Sequence, residues 1–169
     1  MSTKRLFFAL WPDMRQRDRL RDVINSVAKI VEGKPVDRRN WHVTLSFIGT
    51  FPEHRVPFLL ERAAEVPVEP FRLAFDRLEY WPRPRVAALC ASNVPPEMQF
   101  LVDSLNRIVD DLGIKPEDRV YRPHITVARG ANRFETERLT QRVITEWSGF
   151  ELMESVSGPS GVSYSPVKQ

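Results

Sequence analysis

Hydrophobic residues along the chain switch between two periods, and each switch marks an element. The run "LFFAL" at 6–10 is short and continuously apolar, as a buried strand is. After Pro12 and a cap at Asp13, Leu20, Val23, Ile24, Val27, Ala28 and Val31 recur at helical spacing, and Gly33 with Pro35 ends that helix. "WHVTLSFIG" at 41–49 reads as a strand. A second amphipathic helix is expected from about Glu53 to Glu65, with Val56, Leu59, Leu60 and Ala63 on one face, before "FRLAFDRLEYW" returns as a strand.

The second half follows the same order. "VAALCAS" at 86–92 predicts a strand, and "PPEMQFLVDSLNRIVDDLG" a helix with Leu101, Leu105, Ile108, Val109 and Leu112 turned inward and Gly113 as its stop. "HITVAR" predicts the next strand. A helix from about Glu137 to Glu146 and strands near 150–156 and 161–167 complete the plan. Two halves on one plan, approximately 5–80 and 85–167, predict pseudo-twofold lobes within a single domain over 1–169. The length fits one domain.

Composition narrows the class. With 42% hydrophobic and 28% charged residues, the chain reads as a soluble globular protein with no disordered tract. No apolar run approaches the about 18 residues of a membrane span. The start "MSTKRLFFALWPDMRQRDRL" lacks a cleavage pattern and runs into a charged helix, so no secretory signal is expected. One cysteine, Cys90, excludes an internal disulfide and fits a reducing cytoplasm. A net charge of only +3 says little about nucleic acid, but the arginines are uneven. Arg83 and Arg85 flank one proline, and Arg119, Arg122, Arg129 and Arg133 surround one short motif. Arginine's planar fork matches phosphate. "RQRDRLRD" at 15–22, by contrast, reads as the wet face of a helix.

That motif occurs twice. "NWHVTLSFIG" and "RPHITVAR" each contain His, an apolar residue, Thr and another apolar residue, at matching places in the repeat. One His-x-Thr is a weak signal; two in register are not. On a strand, His42 and Thr44 share a face about 6.5 Å apart while Val43 and Leu45 point to the core, and His124 and Thr126 do the same against Ile125 and Val127. Lobes facing each other would bring two imidazoles and two hydroxyls to one cleft. Two imidazoles flanking a phosphorus can serve as general base and general acid, and histidine's ordinary pKa of about 6.5 suits both roles. Hydroxyls and an arginine can donate to the non-bridging oxygens. His54 lacks the frame and reads as a surface residue, Cys90 as a small core side chain. Trp11, Trp41 and Trp81 are equally suited to stacking on bases and to packing. No zinc ligand set, Gly-x-Ser-x-Gly elbow, phosphate-binding Gly-Lys loop or dinucleotide glycine pattern is present. An acid–base enzyme with neither metal nor cofactor is expected.

"RLFFALWP", "NWHVTLSFIG" and "RPHITVAR" resemble the two-histidine phosphoesterase superfamily, in particular its RNA 2',3'-cyclic phosphodiesterase branch, first described as 2'-5' RNA ligases. The resemblance runs through nearly the whole chain. It implies an α+β fold, bilobal and pseudo-twofold, with two antiparallel sheets facing a central cleft and helices outside. It implies hydrolysis of terminal 2',3'-cyclic phosphates to 2'-phosphates, with His42 as proton donor, His124 as proton acceptor, and Thr44, Thr126 and Arg129 as phosphate ligands. Phe7, Tyr164 and Arg122 are further substrate-contact candidates. Expected partners are RNA ends with 2',3'-cyclic phosphates, tRNA fragments among them, met by a monomeric cytoplasmic enzyme. Strict alternation would put Arg129, five residues after His124, on the wrong face, and a bulge or strand end near Ala128 is what would redirect it. The ending "GVSYSPVKQ" departs from the family's aromatic-Pro-Leu pattern. Alternatives are a phosphodiesterase for ADP-ribose 1'',2''-cyclic phosphate or 2'-5' oligoadenylate, and a non-catalytic RNA-end binding module.

Overall fold

The computed structural model describes residues 1–168; Gln169, the last residue of the expected domain, lies outside them. The first apolar run extends to β1 (Thr3–Leu10), and an Asp13–Gln16 capping box opens α1 (Met14–Ala28), which buries Leu20, Ile24 and Val27. This helix stops at Ala28, short of Val31 and of the Gly33–Pro35 signal, because the chain turns there into the two-residue β2 (Lys34–Pro35). Then follow β3 (Val43–Pro52), a 3-10 turn at Glu53–Arg55, α2 (Val56–Ala64), β4 (Phe71–Trp81), β5 (Val86–Cys90), α3 (Pro96–Asp111) and β6 (His124–Arg129). The last elements are β7 (Glu137–Trp147), β8 (Glu151–Gly158) and β9 (Gly161–Pro166).

One element differs from its expectation. Residues 137–147 form a strand, not a helix, pairing with β4 from Phe71↔Trp147 to Leu78↔Glu137. The β-branched Thr140, Val143, Ile144 and Thr145 favour a strand, but an irregularity opposite Phe75 and Arg77 breaks the alternation that would have revealed it.

The strands form two sheets, ordered β3-β1-β8-β9 and β2-β6-β5-β4-β7, and all pairings are antiparallel. The sheets do not divide the chain where the sequence repeat does: β4 from the first half joins the second sheet, and β8 and β9 from the second half join the first. Helices cross over as well. The first-half helix α1 packs near β6 and β7, and α3 packs on β3. One apolar cluster, from Leu6 and Phe8 through Leu73 and Leu89 to Val109 and Ile125, is shared by both sheets and the helices. Among the described residues no helix is long and apolar enough to cross a membrane.

Candidate active site

Register aligns the two His-x-Thr strands with their neighbours in the same way. In the first sheet, Thr44 lies opposite Ala9 and Phe47 opposite Phe7. In the second, Thr126 lies opposite Ala88 and Arg129 opposite Val86. Each threonine is thus flanked by an alanine, whose single methyl leaves room above the sheet. In both strands an extra residue follows the threonine: Leu45 has no partner between Phe8↔Ser46 and Ala9↔Thr44, and Val127 none between Ala87↔Ala128 and Ala88↔Thr126. Leu45 and Ser46 are both buried, as are Val127 and Ala128, so the next residue comes back to the face of the histidine. The expected bulge therefore exists, and it turns Arg129 to the same face as His124. Its counterpart in the first strand is Phe47, 54% exposed, which nothing in the sequence frame had singled out.

Both imidazoles are oriented by one device. His42 Nδ1 donates to the carbonyl of Asn40 at 2.7 Å, and His124 Nδ1 donates to that of Arg122 at 3.0 Å. A carbonyl can only accept, so each neutral ring keeps its proton on Nδ1 and presents a bare Nε2. His42 Nε2 lies 3.2 Å from the Thr44 hydroxyl.

The two surroundings differ. His42 stacks on Trp11 at 5.3 Å between ring centroids, with Phe7 and Tyr164 at 5.2 and 5.1 Å. Burial in this aromatic box pushes its pKa down to about 4, the Asn40 carbonyl opposing, and the charges of His124 and Arg129 add to the fall. His124 packs on Trp81 at 4.1 Å. Its pKa is also lowered by burial, against the Arg122 carbonyl and with the Arg122 charge.

The sheets are tied at the site. Tyr121, just ahead of β6, donates its hydroxyl to the Thr44 carbonyl at 2.8 Å, and Arg129 reaches the Tyr164 hydroxyl at 3.5 Å. The structure thus gathers His42, Thr44, Phe7 and Tyr164 around one imidazole, with Arg129 at their edge, and sets His124 and Thr126 on the facing sheet. Arg122 is placed differently from expectation. Its guanidinium donates to both oxygens of Glu79, at 2.7 and 2.6 Å, while the side chain stays half exposed. Glu79, Asn40 and Tyr121 carry no motif; Asn40 and Tyr121 could have been found only as close upstream neighbours of the two histidines. His54 is exposed and Cys90 buried, as the sequence implied. Two imidazoles, two hydroxyls and a guanidinium can take a proton on a bare Nε2, give one once an imidazole is charged, and hold an anion between them.

Known proteins carry the same arrangement of chain. The family model described as LigT like Phosphoesterase matches residues 10–88. An RNA 2',3'-cyclic phosphodiesterase of Archaeoglobus fulgidus is 25% identical over 173 residues, covering 97% of this chain and 98% of that one. One from Aeropyrum pernix is 35% identical over 114 residues, covering 66% of this chain and 64% of that one. The crystal structure of Escherichia coli LigT complexed with 3'-AMP superposes with a TM-score of 0.87 at 26% identity, covering 99% of this chain and 97% of that one. Over nearly its whole length the chain is thus similar to LigT-like phosphoesterases.

Proposed function

We propose that the protein hydrolyses RNA 2',3'-cyclic phosphodiester ends to 2'-phosphomonoesters by two-histidine acid–base catalysis that needs no metal. The observation that carries this reading is the pair of imidazoles from two facing sheets, each with Nδ1 held by a carbonyl two residues upstream and Nε2 left bare, that of His42 3.2 Å from the Thr44 hydroxyl. The relatives named RNA 2',3'-cyclic phosphodiesterase support it. His124 Nε2 takes a proton from water as the water oxygen bonds to phosphorus. The bond to the 3' oxygen breaks in line, and His42 gives that oxygen its proton. Thr44, Thr126 and Arg129 donate to the non-bridging oxygens, where charge is held.

His42 begins neutral near pH 7, so its acid role depends on the substrate: a phosphodiester anion beside it favours imidazolium. The exposed Phe47, with Phe7 at 6.2 Å between centroids, offers a face for the terminal base. A 5'-hydroxyl in the place of water would give 2'-5' ligation by the same steps. The shared core supports a single bilobal domain, and we read the protein as a monomeric cytoplasmic enzyme acting on RNA ends such as tRNA fragments. A non-catalytic end-binding module is disfavoured because binding alone needs neither locked imidazole.

The decisive assay is a panel of cyclic-phosphate-ended oligonucleotides, mononucleoside 2',3'-cyclic phosphates, ADP-ribose 1'',2''-cyclic phosphate and 2'-5' oligoadenylate, each run after exhaustive chelation. Oligonucleotide ends should be converted to 2'-phosphates with full rate in chelator. Inactivity on every substrate would leave the binding module, and activity restored only by added metal would remove the two-histidine mechanism.

A further inference from the structure

Register places Arg77, Glu79 and Trp81 of β4 opposite Cys90, Ala88 and Val86 of β5, and those three opposite His124, Thr126 and Arg129. The small β5 side chains let the long β4 side chains lean across to β6. Glu79, almost wholly buried, accepts from Trp81 Nε1 at 3.1 Å and from Arg122 Nη2 through both of its oxygens. The Arg122 guanidinium lies 5.3 Å above the Trp81 ring, and the same ring packs on His124. Thus Glu79 holds both things that touch His124: the indole on its face and, through Arg122, the segment whose carbonyl takes its Nδ1–H.

Accepting on the proposed reaction, we infer that Glu79 is a positioning residue, acting through Arg122 and Trp81 to fix the His124 tautomer and the direction of its Nε2. The first sheet shows what the second adds. Glu151 holds the register position of Glu79, opposite Ala9 as Glu79 is opposite Ala88, yet it is exposed. There His42 is held by its aromatic box, and Asn40, the counterpart of Arg122, is anchored by one hydrogen bond to the Val162 carbonyl at 3.3 Å. Where the aromatic box is missing, a charged clamp takes its place. Burial pushes the Glu79 carboxyl up, but hydrogen bonds from Arg122 and Trp81 and the charges of Arg122 and Arg77 outweigh it, so the carboxylate form is favoured. Since the Arg122 side chain is half exposed, a stability role alone would be small.

The test compares full-length wild type with Glu79→Gln, Arg122→Gln and the double variant. Hydrolysis of a cyclic-phosphate-ended oligonucleotide is measured alongside 15N ring spectra of both histidines at alkaline pH. Each single variant should lose about tenfold in kcat with KM within about twofold, the double variant should lose no more than either single, and His124 alone should drift to a tautomer mixture. A His124 that keeps its Nδ1–H tautomer, additive losses in the double variant, or a matching change at His42 would overturn the inference. If Glu79→Gln does not fold, Arg122→Gln reads the same clamp from its exposed end. If wild type hydrolyses nothing, the functional reading fails while the ring spectra still decide the clamp.

Discussion

At the scale of single residues, the chemistry rests on where two imidazole protons sit. Because both Nδ1 atoms are held by carbonyls, His42→Ala or His124→Ala should each lower the rate by about 10²–10⁴ without unfolding the chain. Thr44→Val and Thr126→Val should cost less, since each deletes one of several donors to the same oxygens. Assay of the four purified variants checks the order. The two histidines separate on a 2',3'-cyclic substrate with sulfur at the 3' position, whose leaving group needs no acid: it should rescue His42→Ala and leave His124→Ala slow. Rescue of His124→Ala instead would reverse the roles. Both pKa values fall below 6.5 in the free protein, His42 to about 4. The kcat/KM profile should therefore peak on the acid side of 6.5, and the kcat profile, which reports the phosphate-bound protein, should lie at higher pH. Coincident profiles would show that the substrate does not recharge the pair.

At the scale of elements, strand irregularities aim the site. The Val127 bulge returns Arg129 to the cleft face, and the edge strand β2 closes on it: Lys34 pairs with Arg129 and Pro35 with Ala128. Gly33 makes that closure possible, since a Cβ there would lie 3.0 Å from both the Ala131 Cα and the Arg129 carbonyl oxygen. Backbone cannot move aside as a side-chain tip can. Gly33→Ala should therefore lift β2 from β6, costing about 1–2 kcal/mol in denaturant titration and raising KM through Arg129. Unchanged stability and KM would mean that the edge strand does not support the arginine. The same scale explains why the strand at 137–147 carries a helix-like pattern. Its amphipathic pattern is broken where it leaves β4, and only the partner strand says that the segment is extended.

At the scale of the whole molecule, the fold keeps two imidazoles neutral, and that has a sign in pH. A group whose pKa is lowered by folding is bound to more protons unfolded, so stability is full above about 6.5 and is lost as pH falls toward the folded value. For His42, lowered to about 4, the loss between pH 7 and 5 should be about 2 kcal/mol by denaturant unfolding, and His42→Gln should remove it. Equal losses in both proteins would contradict the burial. Tyr121→Phe, which cuts the hydroxyl bond from one motif to the backbone of the other, should cost about 1 kcal/mol of stability and a larger share of kcat. The sequence by itself determined the two matching His-x-Thr motifs, the shared face of His42 with Thr44 and of His124 with Thr126, and the strands that carry them, because period and motif are local properties of the chain. It also called for an irregularity near Ala128 to redirect Arg129, and the register puts the unpaired residue beside it, at Val127. Only the tertiary structure decided that β4 and β8 change sheets, that Arg122 pairs with Glu79, that Trp11 and Trp81 are the walls of two different imidazole pockets, and that Phe47 stands where symmetry would put a second arginine. Those facts depend on which strand lies beside which, and strand pairing joins residues far apart in the chain, where no local pattern records the partner.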